Sequence, residues 1–357
     1  MKLAIIGTRG IPNNYGGFEQ FAEYLSDGLS QQGHQVYVYN SHNHPFQEQK
    51  YKGVNIIHCF DPEYKIGTAG QFIYDLNCIL DSRKRKFDVV LQLGYTSSSI
   101  WNFLFNKNVK LVTNMDGLEW KRTKYSGLTK YFLKYAERLA IYHSDTLVAD
   151  SIGIQKYLSE KYTKTSTYIP YGASVFSSPE IECLQKFGLE PYSYDMIIAR
   201  VEPENNVKTI IDGFIDSEIS RKLVVIGNMN TKLGRQIRSY VTDERIIFLG
   251  FVASIEILNN LRYYSNLYFH GHTVGGTNPS LLEAMASSAL ICAHANSFNQ
   301  LILEDQAFYF DSKSDVTKIV NSVQKANHLE WCKLNSKKIN DNYQHNDIVS
   351  QYEQIMI

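Results

Sequence analysis

The sequence lacks the features that mark several protein classes. Its 357 residues contain only five scattered cysteines and no Cys-x-x-Cys pair, so neither a disulfide framework nor a thiolate zinc site is indicated. Lysine plus arginine equals aspartate plus glutamate at 36 each, and this balance gives no support for nucleic-acid binding. No apolar run approaches the length of a membrane span, and the start of the chain lacks a signal-peptide core. We expect a cytoplasmic protein.

Motifs for metal or nucleophilic catalysis are also missing. There is no Asp-x-Asp pair, Walker loop or Gly-x-Ser-x-Gly elbow in the chain. His270, His272 and His294 have no acidic or histidine partners at metal-ligand spacing. We predict no metal requirement and no bound cofactor.

Short apolar runs alternate with longer amphipathic ones, which is the pattern of parallel sheets covered by helices. One series runs from Lys2–Ile6 to Ser166–Ile169, the pattern breaks near Gly172, and a second series begins at Asp195–Ala199. The length allows two domains of ordinary size. The sequence predicts an α/β fold of two doubly wound, Rossmann-like domains facing each other across a cleft, with the division near residue 172.

The most informative segment follows the strand-like run Leu267–Phe269. It reads Gly-His-Thr-Val-Gly-Gly-Thr-Asn-Pro-Ser-Leu-Leu-Glu-Ala-Met-Ala from residue 271 to 286. Asn278 is a suitable helix N-cap and Pro279 fits the first turn. Glycines followed by a helix N-terminus form a natural anion site, and Glu283 stands one turn inside, able to accept from a sugar hydroxyl. The segment suits a ligand with both phosphate and ribose; the alternative is an ordinary buried helix after a loop.

This segment resembles the donor-binding loop of retaining GT-B glycosyltransferases of family 4, and its full run is similar to a bacterial rhamnosyltransferase subgroup. The family pattern has two glutamates separated by seven residues. The second is Glu283 here, but Gly275 stands at the first, which usually contacts the donor hexose. The resemblance implies that Gly275, Gly276, Thr277, Asn278 and Glu283 bind the donor.

Two further segments of the second half resemble donor-binding elements of the family. Arg200 matches an arginine that clamps the donor diphosphate, whereas Asn205 stands where the family has a lysine. Arg200 could instead pair with a nearby glutamate. Phe251 and Val252 follow Gly250 at the place where the nucleotide base rests, although an ordinary buried strand explains them equally well.

In the first half, the resemblance points to two loops. Gly16 and Gly17 open the first long helix, near the donor diphosphate and the acceptor in the family; a flexible surface loop is the alternative. The segment Asn-Met-Asp-Gly-Leu-Glu-Trp follows a strand where many relatives have His-Asp. Asp116 is the first candidate for the group beside the acceptor hydroxyl and Glu119 the second, unless Asp116 only forms a turn.

A basic and aromatic stripe follows these residues. Tyrosines lie beside the basic positions, which are Lys121, Arg122, Lys130, Lys134 and Arg138. Such a face suits an anionic membrane surface or a lipid-diphosphate acceptor, while a solvated helix face is the equally common explanation.

The resemblance covers most of the chain, and it implies an acceptor-side domain at 1–172, a nucleotide-sugar domain at 173–340 and a terminal helix at 341–357 that returns to the first domain. The expected activity is metal-independent transfer of a sugar with retention, from dTDP-L-rhamnose to a lipid-diphosphate-linked or polysaccharide acceptor. Arg200 would stabilise the leaving phosphate. The alternatives are a nucleotide-sugar epimerase of the same fold and a non-catalytic carbohydrate-binding protein.

Overall fold

The computed structural model describes residues 1–122, 125–252, 254–273 and 276–357. The chain divides into two compact units, which are residues 1–172 with 345–357 (unit 1) and residues 173–344 (unit 2). Each unit has one sheet whose strands alternate with helices along the chain. The α/β architecture of two Rossmann-like domains, predicted from the alternating pattern, is confirmed.

The sheet of unit 1 has eight strands in the spatial order β3-β4-β2-β1-β5-β6-β7-β8. In chain order these are β1 (Lys2–Ile6), β2 (Gln35–Ser41), β3 (Lys50–Tyr51), β4 (Val54–Cys59), β5 (Val89–Leu93), β6 (Lys110–Asn114), β7 (Thr146–Ala149) and β8 (Thr167–Tyr168). Only β3 and β4 pair antiparallel. Strands β2 to β4 lie on one side of β1 and strands β5 to β8 on the other, so the strand order reverses between β1 and β5. Ligands of α/β proteins bind at such a switch point.

Among the described residues, five helices lie between the strands of this sheet along the chain: α1 (Gly17–Gln31), α2 (Glu63–Ile66), α3 (Ala69–Arg85), α4 (Gly127–His143) and α5 (Ile152–Tyr162). Helix α1 forms where its apolar positions recur at helical spacing, and Phe21, Leu25 and Leu29 are fully buried. It ends before Gly33, whose φ of 88° favours a residue without a side chain.

Unit 2 has a six-stranded, fully parallel sheet with the order β11-β10-β9-β12-β13-β14. Its strands are β9 (Tyr194–Ile198), β10 (Lys222–Ile226), β11 (Ile246–Gly250), β12 (Leu267–His270), β13 (Ile291–His294) and β14 (Phe308–Phe310). This is the strand order of a dinucleotide-binding fold, and its switch point lies between β9 and β12. The short β3 and β14 were not predicted, because two or three residues show no hydrophobic period.

The helices of unit 2 are α6 (Val207–Ile215), α7 (Lys232–Tyr240), α8 (Ile255–Tyr264), α9 (Pro279–Ala286), α10 (Ser297–Leu303), α11 (Lys313–Ser322) and α12 (Leu329–Asn342). Side chains of β9, β10 and β12 form its core with Phe214 of α6 and Val316 of α11. Gly213 allows α6 and α11 to approach closely, since a Cβ there would lie 2.6 Å from the carbonyl oxygen of Lys313.

The last helix, α13 (His345–Met356), packs within unit 1. Val349 fills the space beside Gly28 of α1, where a Cβ would lie 2.7 Å from the valine methyl group. The Tyr352 hydroxyl accepts from Asn114 Nδ2 at 2.9 Å, and His34 Nε2 lies 2.6 Å from a Glu353 carboxylate oxygen. The helix begins at His345, after the expected start of the terminal segment at 341, because α12 continues to Asn342.

Unit 1 contains a buried carboxyl group that links stability to pH. Asp75 of α3 is 3% exposed, and its Oδ2 accepts from Ser97 Oγ at 2.6 Å. Its pKa is raised to about 7, mainly by burial; Asp61 and Glu63 add to the rise, while the Ser97 hydrogen bond and Arg9 oppose it. The folded state therefore holds a proton that the unfolded chain releases near pH 4.

We predict that Asp75→Asn makes stability less dependent on pH. Because the folded pKa is raised, the free energy of unfolding contributed by Asp75 falls as pH rises from about 4 to about 7, by up to about 4 kcal/mol. Urea unfolding midpoints at pH 4.5 and 7.5 measure this loss, using the exposed Asp347→Asn as control. A wild-type-like decline in Asp75→Asn would contradict the assignment.

Candidate functional site

The loop between β12 and α9 lies at the switch point of the unit 2 sheet. As the sequence predicts, Asn278 caps α9, with its Oδ1 accepting from the Ser280 N–H at 3.0 Å, and Pro279 is the first helical residue. Thr277 is buried, whereas Gly276 and Asn278 are partly exposed before the helix. The helix N-terminus thus directs a positive dipole end toward the carboxyl edge of β9 and β12. Gly275 lies outside the described residues.

The turn after β9 is bonded directly to this loop. The Thr273 N–H donates to the Glu204 carbonyl at 2.9 Å, and Asn206 Nδ2 donates to the Gly271 carbonyl at 2.9 Å. A Cβ on Gly271 would lie 2.1 Å from the Asn205 carbonyl oxygen, so the two backbones meet where only glycine fits. The two donor-binding segments expected from the sequence are therefore brought together.

Within that turn, Arg200 and Asn205 differ in accessibility. Arg200 is exposed, and across the described part of the chain no ion pair joins it to Glu202 or Glu204. Asn205 is 2% exposed and donates its amide to the Arg200 carbonyl at 2.8 Å. Asn205 therefore orders the turn through the backbone, and the guanidinium of Arg200 is open to an anion.

Glu283 is held by an arginine that the sequence analysis did not select. The carboxylate forms an ion pair with Nη2 of Arg262, which is 1% exposed and lies on α8. The other terminal nitrogen of Arg262 donates to Asn259 Oδ1 at 2.9 Å. The sequence signal that could have identified Arg262 is its position four residues after Leu258, which places a charged side chain on the apolar face of α8.

Two histidines line the same strand end. The rings of His270 and His272 stack with centroids 4.4 Å apart, and His270 is fully buried. Burial lowers the His270 pKa far below its ordinary value, and the neighbouring His272 lowers it further. This imidazole is therefore neutral. Among the described residues, no group of three or more His, Cys, Asp or Glu side chains could hold a metal ion. Metal independence stays a prediction.

The proposed base-binding residues lie at the end of β11. Gly250 ends the strand with a φ of 73°, and Phe251 is 65% exposed immediately after it. Val252 is partly exposed. Phe251 thus leaves the strand, and its ring is free to stack on a flat ligand.

In unit 1, Gly16 is the N-cap of α1 and Gly17 its first residue, without a side-chain cap. Asp116 follows β6 with a φ of 48°, and its N–H donates to Asn114 Oδ1 at 2.9 Å. Asp116 thus lies just beyond the strand end in a left-handed conformation that aspartate tolerates, which leaves the turn alternative open. Its role beside the acceptor stays a prediction.

A second carboxyl group near Asp116 was not selected from the sequence. Asp150 follows β7 directly and is 1% exposed. Burial and the Asp116 charge raise the Asp150 pKa well above its ordinary value. Asp150 is thus a buried carboxyl group whose ionisation is disfavoured, next to the partly exposed Asp116. An aspartate at the end of a buried strand was the signal for it.

The basic stripe divides into paired and exposed groups. Arg122 forms an ion pair with Glu119 at 2.7 Å, and both side chains are largely buried. Lys121, Lys134 and Arg138 are exposed and Lys130 is partly exposed. Glu119 and Arg122 therefore hold the segment after β6 together, and the exposed cations lie on or before α4.

Glu137 fixes the inner face of α4. This carboxylate is 1% exposed and accepts from Trp120 Nε1 at 3.0 Å and from the Tyr157 hydroxyl at 2.7 Å. The opposite face carries large exposed side chains, namely Leu128, Tyr131, Tyr135 and Tyr142 at 86%, 77%, 52% and 80%. No helix among the described residues is long and apolar enough to cross a bilayer.

We predict that Glu283→Gln destabilises unit 2. The change leaves the buried Arg262 guanidinium without its counter-charge, which costs about 3–5 kcal/mol. Differential scanning calorimetry measures the loss. The double variant with Arg262→Met removes the unpaired charge and should recover most of the lost free energy of unfolding. Additive losses from the two single variants would contradict a direct ion pair.

Comparisons with known proteins agree on the fold and leave the family open. Residues 1–174 match the model described as "Domain of unknown function (DUF1972)". No curated protein matches the chain.

Solved structures are similar over nearly the whole chain. Sucrose-phosphate synthase from Thermosynechococcus elongatus is 15% identical with a TM-score of 0.79, covering 99% of this chain and 98% of that one. HepE from Anabaena in complex with UDP-glucose is 14% identical with a TM-score of 0.76, covering 99% and 98%. A glycosyltransferase from Rickettsia africae is 13% identical with a TM-score of 0.71, covering 99% and 97%. The predicted GT-B fold of two Rossmann-like domains is confirmed.

Proposed function

We propose that this protein is a glycosyltransferase that uses a nucleotide-diphosphate sugar. The observation that carries the proposal is the bonded pair of loops at the unit 2 switch point, after β9 and β12. There, a capped helix N-terminus and an accessible arginine converge on one strand edge. Similar structures include HepE in complex with UDP-glucose, which supports the same class of donor for this chain.

The donor would be bound from its diphosphate outward. Backbone N–H groups from Gly276 to Asn278 and the α9 dipole would meet the phosphate charge, and Arg200 would supply a full positive charge. Glu283, oriented by Arg262, accepts from the ribose hydroxyls. Phe251 covers the base.

The proposed reaction proceeds with retention of the anomeric configuration. The acceptor hydroxyl attacks the anomeric carbon from the face that the diphosphate leaves, so a new C–O bond forms as the C–O bond to phosphate breaks. The acceptor's proton passes to the departing phosphate oxygen. Arg200 and the α9 amides stabilise the charge on that phosphate, while Asp116 orients the acceptor hydroxyl.

We further propose membership of family 4 and, within it, the rhamnosyltransferase subgroup, with dTDP-L-rhamnose as donor. Gly275 carries no carboxylate where the family usually places one on the hexose. A 6-deoxy sugar has one hydroxyl fewer to be recognised, which agrees with that loss. The acceptor would be a sugar on a lipid diphosphate or a growing polysaccharide.

The exposed face of α4 supports peripheral binding to an anionic membrane. Its exposed aromatic and apolar side chains lie opposite Glu137, flanked by the exposed Arg138, while the Lys134 ammonium group lies 4.6 Å from the centroid of the Trp120 ring. Tyrosine rings suit the headgroup region, and lysine and arginine attract anionic lipids. This would hold the enzyme at the inner face of the membrane, next to a lipid-linked acceptor.

We predict a metal-independent rise in Tm with dTDP, in a panel that also contains UDP, GDP and NAD with and without magnesium. A nucleotide at about a hundred times its Kd should stabilise the protein by about 2.7 kcal/mol. A response to UDP or GDP alone would reject rhamnose and keep the glycosyltransferase. Absence of any nucleotide response would contradict the proposed function.

We predict that Arg200→Ala removes about 2–4 kcal/mol of transition-state stabilisation and so slows sugar transfer, because the positive charge that faces the leaving phosphate is lost. Donor turnover with product analysis gives the measurement, and Arg238→Ala on α7 is the matched control. Activity within about twofold of wild type would reject the role of Arg200. Conversion of donor without an acceptor would indicate an epimerase.

We predict that Lys134→Glu with Arg138→Glu weakens cosedimentation with phosphatidylglycerol-containing vesicles by roughly 30-fold or more, since each basic side chain contributes about 1 kcal/mol. The exposed pair Arg83→Glu and Lys84→Glu, at the end of α3, is the control. Equal losses in both double variants would show that only net charge matters, against a defined α4 surface.

A further inference from the structure

Unit 1 contains a pocket that the donor site does not use. The segments after β1, β2 and β4, together with the starts of α1 and α2, line a half-open pocket of about 260 Å³ at the carboxyl edge of the sheet. Ligand pockets for larger molecules span about 300–1,000 Å³, so this volume suits one sugar ring rather than a nucleotide.

Aromatic side chains form the rim of this pocket. Tyr15 and Tyr64 are 56% and 59% exposed. The Tyr15 ring lies 3.8 Å from the guanidinium carbon of Arg9, which Glu63 holds through two hydrogen bonds of 2.9 and 2.7 Å. Tyr15 is therefore exposed yet held in place, as a stacking platform for the apolar face of a sugar requires.

The floor carries hydrogen-bond acceptors that are not fully used. Glu19 and Asp61 are 3% and 5% exposed. Glu19 Oε1 accepts from the Arg9 N–H at 2.9 Å, and Asp61 Oδ1 accepts from the Glu63 N–H at 2.9 Å. In the described part of the chain, the second carboxylate oxygen of each has no hydrogen-bond partner. Each can accept from a ligand hydroxyl.

The charges of the pocket select against anions. Glu19, Asp61 and Glu63 supply three carboxylates against the single guanidinium of Arg9, which is already engaged by Glu63. His44 is buried beside them; burial lowers its pKa, which keeps it uncharged at neutral pH. A phosphate or uronate placed here would meet uncompensated negative charge.

We propose that this pocket binds one uncharged sugar residue of the acceptor glycan, stacked on Tyr15 and Tyr64 and hydrogen-bonded to Glu19 and Asp61. That this sugar belongs to the acceptor rests on the proposed function, whereas the binding of a neutral sugar does not. Any phosphate of a lipid-linked acceptor would lie outside the pocket.

Saturation-transfer NMR on the 357-residue chain tests this proposal. The probes are methyl β-D-glucopyranoside, methyl α-L-rhamnopyranoside and methyl β-D-glucuronide at about 20 mM, enough for millimolar affinity. We expect signals from at least one neutral glycoside and none from the glucuronide. Tyr15→Ala should weaken binding by roughly fivefold, the value of an aromatic contact of about 1 kcal/mol. Asp61→Asn should admit the glucuronide, and the exposed Phe103→Ala is the control.

Equal binding of glucuronide and neutral glycosides, or loss in Phe103→Ala equal to that in Tyr15→Ala, would overturn the proposal. Tyr64→Ala gives a second test of the rim if Tyr15→Ala melts early. Nucleotide binding separates the two proposals. A protein that binds dTDP but no glycoside refutes the pocket alone, whereas one that binds glycoside as described but no nucleotide refutes the proposed function alone.

Discussion

The close backbone contact between Gly271 and Asn205 is the constraint on which the candidate donor site depends. It joins the loops after β9 and β12, where the strand order of unit 2 reverses, and leaves no room for a side chain. With the turn fixed in this way, Asn205 can bond to the Arg200 carbonyl, and the guanidinium stays accessible. In the proposed donor site, these backbone amides and this arginine are the groups that would recognise an anion.

The two units differ in the charge that they present to a ligand. At the unit 2 switch point, a helix N-terminus and Arg200 favour negative charge, and the neutral His270 adds none. In the unit 1 pocket, the only guanidinium among the lining residues is neutralised by Glu63, and two more carboxylates remain. This difference in charge agrees with the proposal that unit 2 binds the donor diphosphate and unit 1 an uncharged glycan.

The sequence was sufficient for the fold class and for the start of α9, because alternating apolar runs and a helix cap are local patterns. Asn278 and Pro279 begin α9 as predicted. Arg262 was missed because its partner Glu283 lies on another helix, and the pairing of distant residues leaves no local period. The unit 1 pocket was missed for the same reason, since its lining comes from three segments that are far apart in the sequence. The proximity of Asp150 to Asp116 could not be predicted either, because it depends on the pairing of β6 with β7.

Hydrogen–deuterium exchange with and without dTDP, at about a hundred times its Kd, tests the central claim most directly. We expect protection of the amides from Gly276 to Asn278 and of the turn from Arg200 to Asn206, because a diphosphate at the switch point would bond to or order both. If the exchange rates of these two segments do not change when dTDP is added, the placement of the donor in unit 2 is contradicted.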